Sequence, residues 1–259
     1  MIISFDIFSQ FPEITQFTTT RQGGFSTGNY ESFNLSPYVD DVREHWHSNL
    51  VKLKSELSIK ELVFPFQSHG SEILIVDEEF CQKEETLKNE ALTGIDALIT
   101  CSKELCIAVT TADCVPVLLY DPVRQVIAAV HAGWRGTFAR ITQKTIQSMK
   151  ENFGCHPEDL YALIGPSISA DVYNVGNELY DIFKAEKFPL ELIFTKADDM
   201  LLLDLWHANH WLLEQSGIPL HQIQIAGMCT FTHNDKFFSA RKLGVKSGRM
   251  LNGIVIRNM

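Results

Sequence analysis

Two apolar runs, Cys114–Tyr120 and Gln125–His131, are separated only by Asp121-Pro122-Val123-Arg124, and this arrangement constrains the fold more than any other feature of the chain. Aspartate and proline favour chain reversal, and the flanking aliphatic and β-branched residues favour extended backbone, so the segment reads as a β-hairpin. A hairpin forces its arms to run antiparallel, which disfavours a purely parallel doubly wound sheet. Pairing Tyr120 with Gln125 across the loop places Cys114 directly opposite His131, with both side chains on one face. Opposed Cβ atoms lie about 4.5–5.5 Å apart, a separation from which a thiolate and an imidazole can share one metal ion or one proton. A slip of one residue would turn one of the two to the other face.

Around this hairpin, strands and helices interleave without a Pro/Gly/Ser linker or a repeat, so residues 1–259 read as a single domain. Apolar runs predict strands at Glu61–Phe66, Glu72–Asp77, Asp96–Thr100, Leu105–Thr110, Leu160–Ile164, Gln224–Ala226 and Gly253–Ile256. A second hairpin is expected from Leu190–Thr195 and Met200–Leu205, which flank Lys-Ala-Asp-Asp. Apolar spacings of three and four predict helices at Val42–Leu57, Thr137–Phe153, Gly176–Lys184 and His207–Ser216. In the second of these, Thr137 is the expected N-cap, Gly154 the stop, and Phe138, Ile141, Thr145, Met149 and Phe153 one stripe. The fold class that follows is α+β, with mixed, largely antiparallel sheets flanked by helices.

A chain of 259 residues that is 45% hydrophobic buries a large core without disulfide staples. Its net charge of -10 argues against a broad nucleic-acid or acidic-membrane surface and favours small-molecule chemistry. The amino terminus, Met-Ile-Ile-Ser-Phe-Asp-Ile-Phe, lacks the basic start of a secretory signal, and no apolar run approaches the roughly 18 residues of a membrane span. The six cysteines show neither a C-x-x-C pair nor a disulfide-framework spacing, so a reducing, cytoplasmic setting is expected. Cys101, Cys106 and Cys155 read as buried structural residues, and Cys229 as core packing.

Four loops at strand ends combine glycine with reactive side chains: Thr19-Thr20-Arg21-Gln22-Gly23-Gly24, Gln67-Ser68-His69-Gly70, Thr111-Ala112-Asp113-Cys114, and His131-Ala132-Gly133-Trp134-Arg135-Gly136. Together they nominate His69, Cys114 and His131 as ligands of a metal ion. Zinc accepts sulfur and imidazole, and three protein ligands leave a fourth position open for catalysis. The same atoms permit a metal-free reading, with Cys114 as nucleophile, His131 as base and Asp113 or a neighbouring amide as orienter. Arg135 lies between Gly133 and Gly136 just before the predicted helix, where its guanidinium and the helix N–H groups could hold phosphate. Arg21 and Arg241 are further anion-binding candidates, though single arginines are more often surface ion pairs. Trp134, Phe237 and Phe238 are candidates for stacking on a base, against the commoner role of core packing. His45 and His47 do not share a helix face, and His207 with His210 lacks a third ligand, so both pairs read as surface or packing residues.

Taken in order, these motifs, with Phe33-Asn34-Leu35, Asp96-Ala97-Leu98, Ile164-Gly165-Pro166 and Phe237-Phe238-Ser239-Ala240-Arg241, resemble the YfiH-like laccase-domain family over almost the whole chain. Ser68 stands where that family often has an aliphatic residue. The resemblance implies αββα layers, as in the catalytic domain of cytotoxic necrotising factor, and a zinc pocket whose ligands fall on His69, Cys114 and His131. It implies phosphorolysis of adenosine, inosine and S-methyl-5′-thioadenosine, with deamination of adenosine, so that the partners are a nucleoside and phosphate. Arg21, Asn34, Arg135 and Arg241 would then bind substrate or phosphate, and Asp113 would move protons. The family's older label is a copper-dependent polyphenol oxidase; Cu2+ remains possible, but one cysteine and two histidines suit Zn2+ better than the many-histidine copper set of true laccases. A cysteine amidohydrolase acting on peptide-like or cell-wall precursors, and a metal-sensing or structural role, are the alternatives.

Overall fold

The strand Leu105–Thr111 shows why the sheets stack as they do. Its residues Leu105, Ile107 and Val109 pack with Leu98, Leu118, Ile127 and Leu163, whereas the alternating Cys106 and Ala108 pack with Phe17, Leu53 and Val255. A strand buried on both faces carries apolar residues at every position, and this one is buried throughout. In the computed structural model, which describes residues 1–258, this pattern produces two large sheets face to face between two helical layers.

The five-stranded sheet runs, in spatial order, Ile2–Ile3, Ile14–Thr19, Met250–Ile256, Leu105–Thr111 and Glu61–Val63. The six-stranded sheet runs Ile223–Ile225, Tyr161–Ile164, Val115–Asp121, Val126–Ala132, Ile95–Thr100 and Glu72–Ile75. In the six-stranded sheet the centre is antiparallel and both edge strands pair parallel. Helix Arg43–Glu56 covers the first sheet through Leu53, and helices Ile141–Phe153 and Leu205–Gln215 cover the second through Ile141, Ile146, Met149, Ala208 and Leu212. The order is therefore αββα, as the resemblance implied. A third sheet of Asn174–Val175, Met200–Leu203 and Phe194–Ala197 closes one side.

Several local expectations shift. Leu190–Ile193 forms a helical turn, and only Phe194–Ala197 pairs with Met200–Leu203. The strand at Glu61 ends at Val63. The long helix is broken: Trp134–Phe138 forms a short helix, Arg140 takes a left-handed conformation (φ 59°), and a new helix starts at Ile141. Thr137 is thus inside the first helix, and its hydroxyl donates to the Ala132 carbonyl instead of capping. Ile14–Thr19 is a central strand missing from the sequence reading, because its alternating threonines and glutamine resemble a polar loop. Phe237 and Phe238 are fully buried core residues. Among the described residues, no helix is long and apolar enough to cross a membrane.

Candidate functional site

The hairpin forms, but two residues out of the expected register. Asp121 pairs with Val126 and Tyr120 with Ile127, leaving Pro122–Gln125 as the loop. The Asp121 carboxylate accepts the N–H groups of Val123 (2.8 Å) and Arg124 (2.9 Å), and Gln125 adopts φ 53°. These contacts draw the turn one residue further along the chain. His131 consequently opposes Pro116, and Val115 opposes Ala132, so continuing the ladder brings Cys114 to Gly133. A shift of two preserves the face on which each side chain lies. Cys114 and His131 therefore meet diagonally rather than directly.

Gly133 makes that meeting possible. A Cβ built on it would lie 2.9 Å from Cys114 Sγ and 3.5 Å from His69 Cδ2, so the missing side chain is the space the thiol occupies. His69 arrives on the loop between Gln67 and Gly70, in a left-handed conformation with φ 61°. That conformation costs a non-glycine residue about 1–2 kcal/mol, and the loop recovers it through Asp96. The buried Asp96 carboxylate accepts N–H bonds from Ser68 (3.2 Å), His69 (3.0 Å) and Gly70 (2.7 Å), with the Ser68 hydroxyl adding a fourth at 3.2 Å. Three successive N–H groups wrapped on one anion form a nest. The same Asp96 Oδ1 lies 2.7 Å from His131 Nδ1, so one carboxylate holds the His131 ring and the backbone of the loop that carries His69. Gln67 pins the loop from the other side by bonding the backbone of Thr110.

The ring nitrogens of His69 and His131 and the sulfur of Cys114 lie within 4.8 Å of one another. The two imidazoles stand nearly perpendicular, at 81°. With Nδ1 of His131 held by Asp96, Nε2 is the nitrogen left to ligate, and carboxylate-held histidines of this kind are the usual metal ligands. Burial alone would raise the Cys114 thiol, but the facing His131 charge and hydrogen bonds from His131 and His69 outweigh it and bring the thiol down to about 6. Burial would lower His131, yet the thiolate and Asp96 lift it to about 9. A site that prefers a thiolate beside two imidazoles, with a glycine cradle shaped for the sulfur, fits a metal ion such as zinc.

These three residues form the floor of a cleft of about 750 Å³. Arg135, stacked 4.4 Å over Trp134, and Arg241, stacked 5.1 Å over Tyr173, stand on its walls. Two expected members lie elsewhere. Arg21 donates to the carbonyls of Glu31 and Asn234, stacks 5.0 Å from Phe238, and borders a separate shallow pocket. Asn34 is fully buried outside the cleft, bonding Ser36, Asp41 and the Arg249 backbone. It shapes the cleft only through the segments it ties together. Asp113 lines the cleft, but both its oxygens are engaged, by the Thr230 hydroxyl (2.7 Å) and the Arg241 N–H (2.6 Å). It holds φ 88° and fastens the Cys114 turn to the Arg241 segment.

Asp96 and Arg249 had no site role in the sequence reading. Asp96 carried a signal, as a lone carboxylate near the start of an apolar strand. Arg249 carried none: its guanidinium bonds the carbonyls of Val245, Ser247 and Gly248, and the residue lines the cleft together with Tyr38 and Phe66. Cys106, Cys155 and Cys229 are buried as expected, whereas Cys101 is exposed. His207 is exposed and bonds Asp204, while His45 lies beside Asp41.

The multi-copper polyphenol oxidoreductase laccase family is matched over residues 15–257. A purine nucleoside phosphorylase of Bacteroides thetaiotaomicron is 42% identical over 98% of this chain and 96% of its own length. Adenosine deaminase RL5, from an unknown prokaryotic organism, is 35% identical over 93% of each chain. Among solved structures, the Bacillus licheniformis hypothetical protein YfiH superimposes with a TM-score of 0.91 at 30% identity, covering 99% of this chain and 96% of that one.

Proposed function

The chain belongs to the multi-copper polyphenol oxidoreductase laccase family, and from that premise we propose that it is a zinc-dependent purine nucleoside phosphorylase that also deaminates adenosine. Adenosine, inosine and S-methyl-5′-thioadenosine are the substrates in this reading, with phosphate as the second reactant. The supporting observation is the convergence of His69, Cys114 and His131 on the floor of a cleft walled by Arg135 and Arg241. Relatives named for both activities support the substrate class. One thiolate and two imidazoles favour zinc over copper, which stays the alternative occupant.

When bound, zinc supplies a fixed positive charge and Lewis acidity at the cleft floor. Phosphorolysis forms a bond from a phosphate oxygen to the ribose anomeric carbon and breaks the bond from that carbon to the base, which leaves with the electron pair and takes up a proton. Arg135 and Arg241 hold the phosphate for this displacement, each steadied by the ring beneath it. Asp113 positions Arg241 by accepting its backbone N–H. Asp96 keeps His131 in the tautomer with Nε2 free. Deamination would use the same cleft with the purine ring, and not the anomeric carbon, turned to its floor: water adds to the amino-bearing ring carbon, the exocyclic amino group takes up a proton, and ammonia leaves as the ring carbonyl forms.

Metal-replete protein incubated with inosine and phosphate should release hypoxanthine and ribose 1-phosphate, and His131→Ala, prepared alongside, should not. Absence of phosphate-dependent hypoxanthine from the parent would sink the proposal. The low pKa of Cys114 beside His131 favours one second reading, a cysteine amidohydrolase. Stoichiometric zinc in freshly purified protein counts against it. Metal-free protein whose turnover is abolished by alkylation of Cys114 counts for it.

A further inference from the structure

Tyr38 and Phe66 have two sides. One faces the reaction cleft, and the other faces a second groove of about 930 Å³, so the two spaces meet at this pair of rings. The rings lie 4.8 Å apart, tilted at 58°, and both are substantially exposed. Arg43, Lys54, Lys60 and Lys88 line the second groove, opposed there by only Glu61 and Glu85. Among the described residues, none of these four cations has a carboxylate within 4.0 Å, since the lysine and arginine ion pairs are those of Lys83, Lys246 and Arg257. In a chain of net charge -10 this is a local reversal of sign. The neighbouring groove shares Lys60 and Glu61 with this one and adds Lys103, but Asp77, Glu78, Glu79 and Glu104 make its balance acidic. Trp46 and Phe64 add further aromatic surface beside the cations.

Unpaired cations beside rings suit a ligand that carries negative charge on an aromatic or sugar body. A nucleoside alone has no charge for them to meet. We propose that this groove is a second subsite, which receives an anionic phosphoryl extension attached to the nucleoside while the nucleoside itself lies in the reaction cleft. The inference rests on the reading of the cleft as a nucleoside site. Tyr38 and Phe66 form the saddle over which such a ligand passes, with base and ribose on the His69 side and phosphoryl oxygens towards Lys60 and Lys88.

The test is isothermal titration of the metal-replete full chain with two probes, adenosine and ADP, at low salt and at 0.5 M salt. ADP should bind about five- to tenfold more tightly than adenosine at low salt, the gain expected of a few solvent-exposed charge contacts, and salt should erase the difference. Lys60→Glu combined with Lys88→Glu should remove the ADP advantage and leave adenosine affinity and inosine cleavage unchanged. ADP, and not adenosine, should alter the fluorescence of Trp46, read as the difference from Trp46→Phe. Equal affinity for the two probes, or an ADP advantage that survives the double charge reversal, overturns the proposal. The second result would place the diphosphate on the cleft floor instead. Inosine cleavage reports on the cleft and the ratio of the two affinities on the groove, so each reading fails by its own measurement.

Discussion

Asp96→Asn is the most informative single change, because an amide has the shape of the carboxylate but only one acceptor oxygen. In the folded chain Oδ1 serves His131 Nδ1 and the His69 N–H, and Oδ2 serves the N–H groups of Ser68 and Gly70 together with the Ser68 hydroxyl. If the new NH2 faces the second set, two part-buried backbone donors lose their acceptor, at up to about 1–3 kcal/mol each. If it faces the first set, one backbone donor is orphaned, again about 1–3 kcal/mol, and His131 must turn Nδ1 into an acceptor. The cheaper orientation is the second. It moves the imidazole proton to Nε2, the nitrogen needed for the metal. The variant should therefore lose only about 1–3 kcal/mol of stability, seen as a fall of about 2–4 °C in Tm per kcal/mol. Zinc affinity should drop about 10–100-fold. Competition against a chelator measures the affinity, and thermal unfolding of the metal-free protein measures the stability. A variant that keeps the parent's zinc affinity would refute the argument that Asp96 sets the His131 tautomer.

Two other changes probe the site's framing and the core. Gly133→Ala has an unstrained backbone (φ -65°, ψ 175°), so its effect comes only from the Cβ lying 2.9 Å from Cys114 Sγ; zinc affinity should fall about tenfold, and unchanged affinity would show that the close approach is dispensable. Burial pushes the Cys106 thiol from 9.0 up to about 12, so the folded chain keeps a proton that the unfolded chain releases above pH 9. Stability should accordingly decline as pH rises through that window, by about 1.4 kcal/mol per pH unit for this group. Urea midpoints should fall further between pH 8 and pH 10 in the parent than in Cys106→Ala, in which Cys155 and Tyr120, also pushed up by burial, still contribute a decline; equal falls would contradict the assignment to Cys106.

The α+β class and the main strands were legible because their signals are local, whereas the αββα layering came from the family resemblance. Leu105–Thr111 and Val126–Ala132 are apolar at nearly every position, which marks strands buried on both faces, and the Asp-Pro turn declares an antiparallel pair. Ile14–Thr19 was hidden because its threonines and glutamine find partners only through tertiary contacts, as Thr18 does with Asn252. The break at Arg140 was hidden for a related reason. Its guanidinium packs over Phe188 and Trp211 and donates to the Glu186 carbonyl, partners far away in sequence that hold the left-handed residue in place.

For the site, the chain's own order of residues determined the donor types and the face they share, since strand periodicity survives any even shift of register. It also marked the glycine-bearing loops that carry His69 and Arg135. Only the folded structure decided that the hairpin closes at Asp121–Val126, that Cys114 sits against Gly133, and that Asp96 binds two loops to one carboxylate. Likewise, only the fold removed Arg21 and Asn34 from the cleft and placed Arg249 in its wall. Periodicity is a property of neighbours along the chain, whereas these decisions depend on which hydrogen-bond acceptors distant segments bring within about 3 Å, and no local pattern encodes that.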